Sequence, residues 1–152
     1  MKSTIIAVGR WKSGPERALF EHYAGRLAPP LELREVEERK KLPPEELKRN
    51  EAVLLLAGVP KDARIIVLDG GGKFLTSPAI AKRLGMWRDD GTRQVAWLIG
   101  GANGHGQAAL DRADLVLSLG AQTWPHLLVR AMLAEQLFRA QSILTGHPYH
   151  RE

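Results

Sequence analysis

Four short, nearly unbroken apolar runs constrain this chain more than any other feature: residues 5–8, 64–69, 94–99 and 114–119. Each is too short for a buried helix. Each is also too uniformly apolar for a strand with one wet face, so each predicts a strand covered on both sides. Stretches with helix-start chemistry separate them. Ser13-Gly14-Pro15 opens one helix with proline at its first position, where a missing N–H costs nothing, and Pro43-Pro44 opens another. Ser77-Pro78 predicts a third cap, followed by Ile80, Leu84 and Trp87 on one helical face. A less regular strand is expected around Leu31, Leu33 and Val36, and a short helix near 106–112. Alternating strands and helices with doubly buried strands predict an α/β fold, a mostly parallel sheet with helices on both faces. Residues 1–152 contain no repeat, low-complexity tract or linker, so one domain is expected.

The last helix, expected over 125–144, reads differently from the others. Its polar residues, among them Arg130, Glu135, Gln136 and Arg139, do not gather on one side, and apolar residues occupy most of its circumference. A helix apolar all round is buried all round. Two arrangements satisfy that: a two-fold homodimer using this helix, or a helix sunk in the core of one chain. The dimer is the expectation.

The chain has no cysteine, which removes disulfides and thiolate metal sites. No apolar run approaches the roughly 18 residues needed to span a bilayer, and the N-terminal apolar run is too short for a signal peptide, so a cytoplasmic protein without membrane contact is expected. The net charge of +5 favours a polyanionic partner, and cations outnumber acids over residues 1–26, where Lys2, Arg10, Lys12, Arg17 and Arg26 face only Glu16 and Glu21.

Three glycine-bearing loops share one position. Gly70 to Lys73, Gly100 to Gly104 and Gly120 to Trp124 each follow the C-terminal end of an expected parallel strand, which is where open α/β sheets bind ligands. Neither G-x-G-x-x-G nor G-x-x-x-x-G-K-[ST] occurs, which disfavours a dinucleotide oxidoreductase or P-loop NTPase. A small cofactor held by backbone groups in an apolar cleft, as an adenine nucleoside would be, remains open. Leu68 and Trp124 are candidate walls, or core residues. His105 and His126 read as structural or loop residues.

A second concentration of chemistry lies at the C-terminus. Beyond Gly146, the expected helix C-cap, come His147-Pro148-Tyr149-His150-Arg151-Glu152. Two imidazoles, a phenol and a guanidinium this close are unusual for a bland tail. The two histidines lack the partners of a metal motif, so no metal is expected.

Taken together, several motifs resemble one family. They are Leu68-Asp69-x-x-Gly72-Lys73, Leu98-Ile99-Gly100-Gly101-Ala102-x-Gly104, Ser118-Leu119 through Thr123-x-Pro125-His126, and the ending from His147 to Glu152. The resemblance is to the large-subunit pseudouridine methyltransferase H family of the SPOUT superfamily, and it runs the length of the chain. It implies a C-terminal trefoil knot, a homodimer that brings two knots together, and S-adenosylmethionine as cofactor. It places the cofactor at Leu68, Gly101, Gly120, Ala121, Gln122, Thr123, Trp124 and Pro125. Gly120 stands where relatives often carry serine, and Trp124 where they often carry a smaller apolar residue. The implied reaction is methylation of N3 of a pseudouridine in large-subunit (23S) rRNA on assembled ribosomes. Tyr149, His150 and Arg151 are then the candidate catalytic residues: His150 or Tyr149 to accept the imide proton, Arg151 to stabilise the resulting charge. A related enzyme acting on tRNA and a non-enzymatic RNA-binding or ribosome-assembly factor are the competing readings.

Overall fold

The computed structural model describes residues 1–151, so Glu152 of the terminal motif lies outside the described residues. Five strands form one wholly parallel sheet: β1 (Lys2–Val8), β2 (Glu32–Val36), β3 (Arg64–Phe74), β4 (Gln94–Ile99) and β5 (Leu115–Ser118), in the order β2-β1-β4-β3-β5. The helices are α1 (Pro15–Ala24), α2 (Pro44–Ala57), α3 (Ser77–Asp89), α4 (Gln107–Arg112) and α5 (His126–Thr145).

Alternate residues of the strands supply two cores. Ile5, Ile66, Leu68, Trp97, Ile99 and Leu117 join a cluster with residues of α1, α3 and α5. The intervening Ile6, Val8, Ile65, Val67 and Leu98 pack with Ala52, Leu55 and Ala109 of α2 and α4. Both parities are buried, which explains why the strands read as continuous apolar runs. The indole N–H of Trp97, itself fully buried, donates to the Ser3 hydroxyl at 3.2 Å.

Three local expectations are corrected. Gly70 to Lys73 is not a free loop, because β3 continues to Phe74. Leu68 and Lys73 both pair with Leu117, so residues 69–72 bulge between them. A Cβ at Gly72 would lie 2.7 Å from backbone atoms of Val116 and Leu117, so only glycine lets the returning strand lie against β5. The cap of α3 is Thr76, whose side chain accepts from the Ala79 N–H, which puts Ser77 and Pro78 inside the first turn. Helical spacing puts Leu19, Phe20, Tyr23 and Leu27 on one face of the first expected helix, yet Leu19 is 43% exposed, whereas Phe20 beside it is buried.

Helix α5 packs with α1 and α3, and no residue from 126 to 144 is exposed within the single chain. The chain therefore buries or half-buries this helix unaided, and its apolar circumference does not by itself require a partner. Gly146 closes the helix in the left-handed conformation at φ 75°, with the His147 N–H bonded back to the Ser142 carbonyl.

Candidate active site

A cavity of about 450 Å³ opens at the bulge of β3 and the C-terminal ends of β4 and β5, a size suited to a nucleoside-bearing cofactor. The three glycine-bearing segments meet there. Leu68, Asp69 and Gly70 form the first wall, Gly100 to Ala102 with Gly104 the second, and Ser118 to Trp124 the third. Of the residues expected to hold a cofactor, Leu68, Gly101, Gly120, Ala121, Gln122, Thr123 and Trp124 all line this cavity. Pro125 does not; it caps the N-terminus of α5 just behind.

Local chemistry fixes each wall. The Asp69 carboxylate accepts from the Gly71 N–H at 2.9 Å, a short turn that holds the bulge of β3. A Cβ at Gly101 would fall 2.9 Å from Oε2 of Glu51 and 3.2 Å from Val8, so a side chain there would displace the Glu51 carboxylate. Gly120, at φ 117°, begins the third loop; Ser118 Oγ donates to its carbonyl, and the Trp124 indole N–H donates to the Leu119 carbonyl. Such a loop can present backbone donors and acceptors between apolar walls.

Sequence reasoning passed over several groups at this site. His105 lines the cavity and is 8% exposed, with Nε2 3.0 Å from the Leu68 carbonyl. Burial holds its pKa below the ordinary imidazole value, against the opposing pull of Asp69 and the nearby Leu68 and Leu98 carbonyls. His126 also lines the cavity and reaches the Val8 carbonyl at 2.6 Å. Beside it Arg130, wholly buried, donates to Glu35 at 2.7 Å and to the Val8 and Gly9 carbonyls. Glu51, beneath Gly101, is 7% exposed, and its Oε1 has no hydrogen-bond partner. Desolvation, then the charge of Glu38, raises its pKa. Position after a strand end was the available signal for His105; nothing local marked Arg130 or Glu51.

The C-terminal tail is folded onto the other end of α5 and does not line this cavity. The Tyr149 hydroxyl donates to Glu135 at 2.9 Å and lies 3.3 Å from the Tyr23 hydroxyl. Its ring packs edge-on against Phe138. Partial burial, with the hydrogen bonds to Tyr23 and Glu135, raises the phenol pKa, so Tyr149 acts as a proton donor here and not as a base. His150 Nδ1 is 3.1 Å from the Arg139 guanidinium, and since that group only donates, Nδ1 is the acceptor. Arg151 is exposed.

Glu135 and Tyr23 also line a larger apolar groove of about 630 Å³, which shares Ser118, Leu119 and Gly120 with the first cavity. The tail thus borders a hollow that shares one wall with the glycine-lined one. Of the N-terminal cations, Lys2, Arg10 and Arg17 form exposed ion pairs with Glu32, Glu37 and Glu21, and Arg26 lies over the Phe138 ring. No group of three or more His, Cys, Asp or Glu side chains among the described residues is arranged to hold a metal, and no described helix is long and apolar enough to cross a membrane.

Comparison with known proteins agrees with this geometry. A family described as "predicted SPOUT methyltransferase" matches residues 1–150. The chain is 57% identical over 151 residues to a protein of Paramagnetospirillum magneticum named ribosomal RNA large subunit methyltransferase H, covering 99% of each. Proteins of the same name from Rhodospirillum centenum and Rhodospirillum rubrum are 56% and 53% identical, again over 99% of both chains. A cavity walled by the bulge of β3 and the loops after β4 and β5 in a wholly parallel sheet, and likeness along the entire chain, lead to one assignment: the chain belongs to the SPOUT methyltransferase family.

Proposed function

We propose that this chain methylates N3 of a pseudouridine in large-subunit rRNA on assembled ribosomes, using S-adenosylmethionine. The observation that carries the reading is the convergence of seven expected cofactor residues on one strand-end cavity, in a chain so similar to proteins named as large-subunit rRNA methyltransferases. The donor set fits the cofactor: apolar walls at Leu68, Ile99, Leu117 and Val129, a carboxylate at Asp69, a glycine cradle at Gly100 and Gly101, and the buried, unpartnered Nδ1 of His105. When bound, S-adenosylmethionine supplies an electrophilic methyl group on a sulfonium, and no metal enters the reaction. The chain acts as one catalytic domain, and the knot implied by the resemblance belongs to this reading.

An imide N3–H is a poor nucleophile until its proton is removed or strongly hydrogen-bonded. Tyr149 is held as a donor by Glu135, so it orients the base or the tail and does not take the proton. With Nδ1 engaged by Arg139, a neutral His150 carries its proton on Nε2. His150 therefore becomes the base only when the tail rearranges and frees Nδ1. Arg151 stabilises charge spreading onto the carbonyl oxygens flanking N3. Because the tail does not line the cofactor cavity of its own chain, a two-fold homodimer is part of the proposal. Exposed Leu19 and Phe74 line the intervening apolar groove and offer the surface a second copy would cover, carrying its tail toward the cavity. The protein is expected to work in the cytoplasm, where ribosomes are.

The test is methyl transfer from radiolabelled S-adenosylmethionine to ribosomes lacking the modification, followed by mapping of the labelled base. Label at N3 of a large-subunit pseudouridine is the expected result. Label on tRNA would refute the substrate, and no label with folded protein and competent ribosomes would refute the activity.

A further inference from the structure

His105 is the one imidazole with a ring nitrogen buried at the glycine-lined cavity and left without a partner among the described residues. Its chemistry is fixed by elimination. A carbonyl oxygen only accepts, so the 3.0 Å contact to the Leu68 oxygen requires the proton on Nε2. The neutral ring then has a bare lone pair on Nδ1. The Leu98 carbonyl lies near the ring, yet Nδ1 makes no hydrogen bond in this structure. Burial disfavours a second proton, which keeps that lone pair free. A buried acceptor left unmade is costly, and the residue that carries it lines the cavity. Gly100 leaves room for this ring: a Cβ there would sit 3.2 Å from two ring carbons.

We infer that His105 is a cofactor-recognition residue, whose Nδ1 accepts a hydrogen bond from a donor on the nucleoside half of the bound cofactor. This rests on the reading that the cavity takes S-adenosylmethionine. Two donors on that half have the right chemistry, the exocyclic amine of adenine and the ribose hydroxyls. The same ring, through Nε2, ties β3 just before its bulge to the loop after β4, so recognition and loop position share one side chain.

The two nitrogens can be separated by substitution. In His105→Gln the amide N–H can still reach the Leu68 carbonyl, but no acceptor remains at the Nδ1 position. In His105→Asn the side-chain oxygen stands near Nδ1, and the Leu68 bond is lost. Binding of S-adenosylhomocysteine to the full-length protein is measured by calorimetry, with folding checked by thermal melting. The expected result is about tenfold weaker binding by His105→Gln and a smaller loss in His105→Asn. The analogue with a 6-oxo group in place of the amine, or the one lacking a ribose hydroxyl, should lose about as much against wild type and nothing further against His105→Gln. Whichever analogue does so identifies the donor. Wild-type affinity in both variants, or a loss confined to His105→Asn, would overturn the inference and leave His105 as a strut for Leu68. Failure of the folded wild type to bind S-adenosylhomocysteine at all would instead overturn the cofactor reading beneath it.

Discussion

Removing the Arg130 guanidinium is predicted to destabilise the fold more than any surface charge change, because this side chain is completely buried. It donates to Glu35 Oε2 at 2.7 Å, to the Gly9 carbonyl at 3.0 Å and to the Val8 carbonyl at 3.2 Å. It also lies 4.6 Å from the centre of the Trp11 ring. Arg130→Met keeps the aliphatic bulk and deletes all three bonds. Glu35, with 19% of its side chain exposed, then keeps only the Trp11 N–H, and the Gly9 carbonyl loses its side-chain donor. Breaking a buried pair in this way costs about 3–5 kcal/mol. A domain of this size loses about 2–4 °C of Tm per kcal/mol, so a fall of about 6–20 °C is expected.

The assay is thermal and urea unfolding followed by tryptophan fluorescence. Arg130→Met/Glu35→Met should be less destabilised than the sum of the single variants, because the second change removes the carboxylate the first left stranded. Cofactor affinity should fall with stability in Arg130→Met, since Arg130 and His126 together hold the start of α5 to Val8, directly behind the third loop of the cavity. A loss below about 1 kcal/mol, or strict additivity in the double variant, would refute the claim that this pair anchors the sheet edge.

Three further outcomes follow from particular contacts. Gly72→Ala should cost about 1–3 kcal/mol in urea unfolding, because its Cβ would meet the β5 backbone at 2.7 Å and neither strand can yield without losing its pairing. Glu51→Gln should raise Tm at neutral pH. The native pKa of Glu51 lies above its unfolded value, so its contribution is fully present below that unfolded value and is lost as pH rises through the native one. The gain from glutamine should therefore vanish toward pH 4, and a gain independent of pH would show that ionisation is not its cause. Tyr149→Phe and Arg151→Ala should lose methyl transfer to ribosomes while binding S-adenosylhomocysteine normally; wild-type rates in both would remove the tail from the mechanism.

What could be read from the sequence was whatever a local run determines, and the exceptions share one cause. The strands were legible because burial on both faces leaves continuous apolar runs, and the strand-end rule then located the cavity from the glycines. The continuation of β3 was hidden because Gly70-Gly71-Gly72 has no strand propensity of its own; its pairing comes from β5, more than forty residues later. Helix α5 was legible as a buried helix, but what buries it was not, since α1 and α3 come to flank it only in the folded chain. Arg130 stands alone among apolar neighbours in sequence, and its partner Glu35 is 95 residues away. His105 is the sharpest case. Its place after a strand end is local, but the proton on Nε2 and the vacancy at Nδ1 are decided by the carbonyl of Leu68, 37 residues earlier. A side chain's place along the chain can thus nominate it for a site, while its protonation, and hence which ligand group it can meet, is set by neighbours that only the fold supplies.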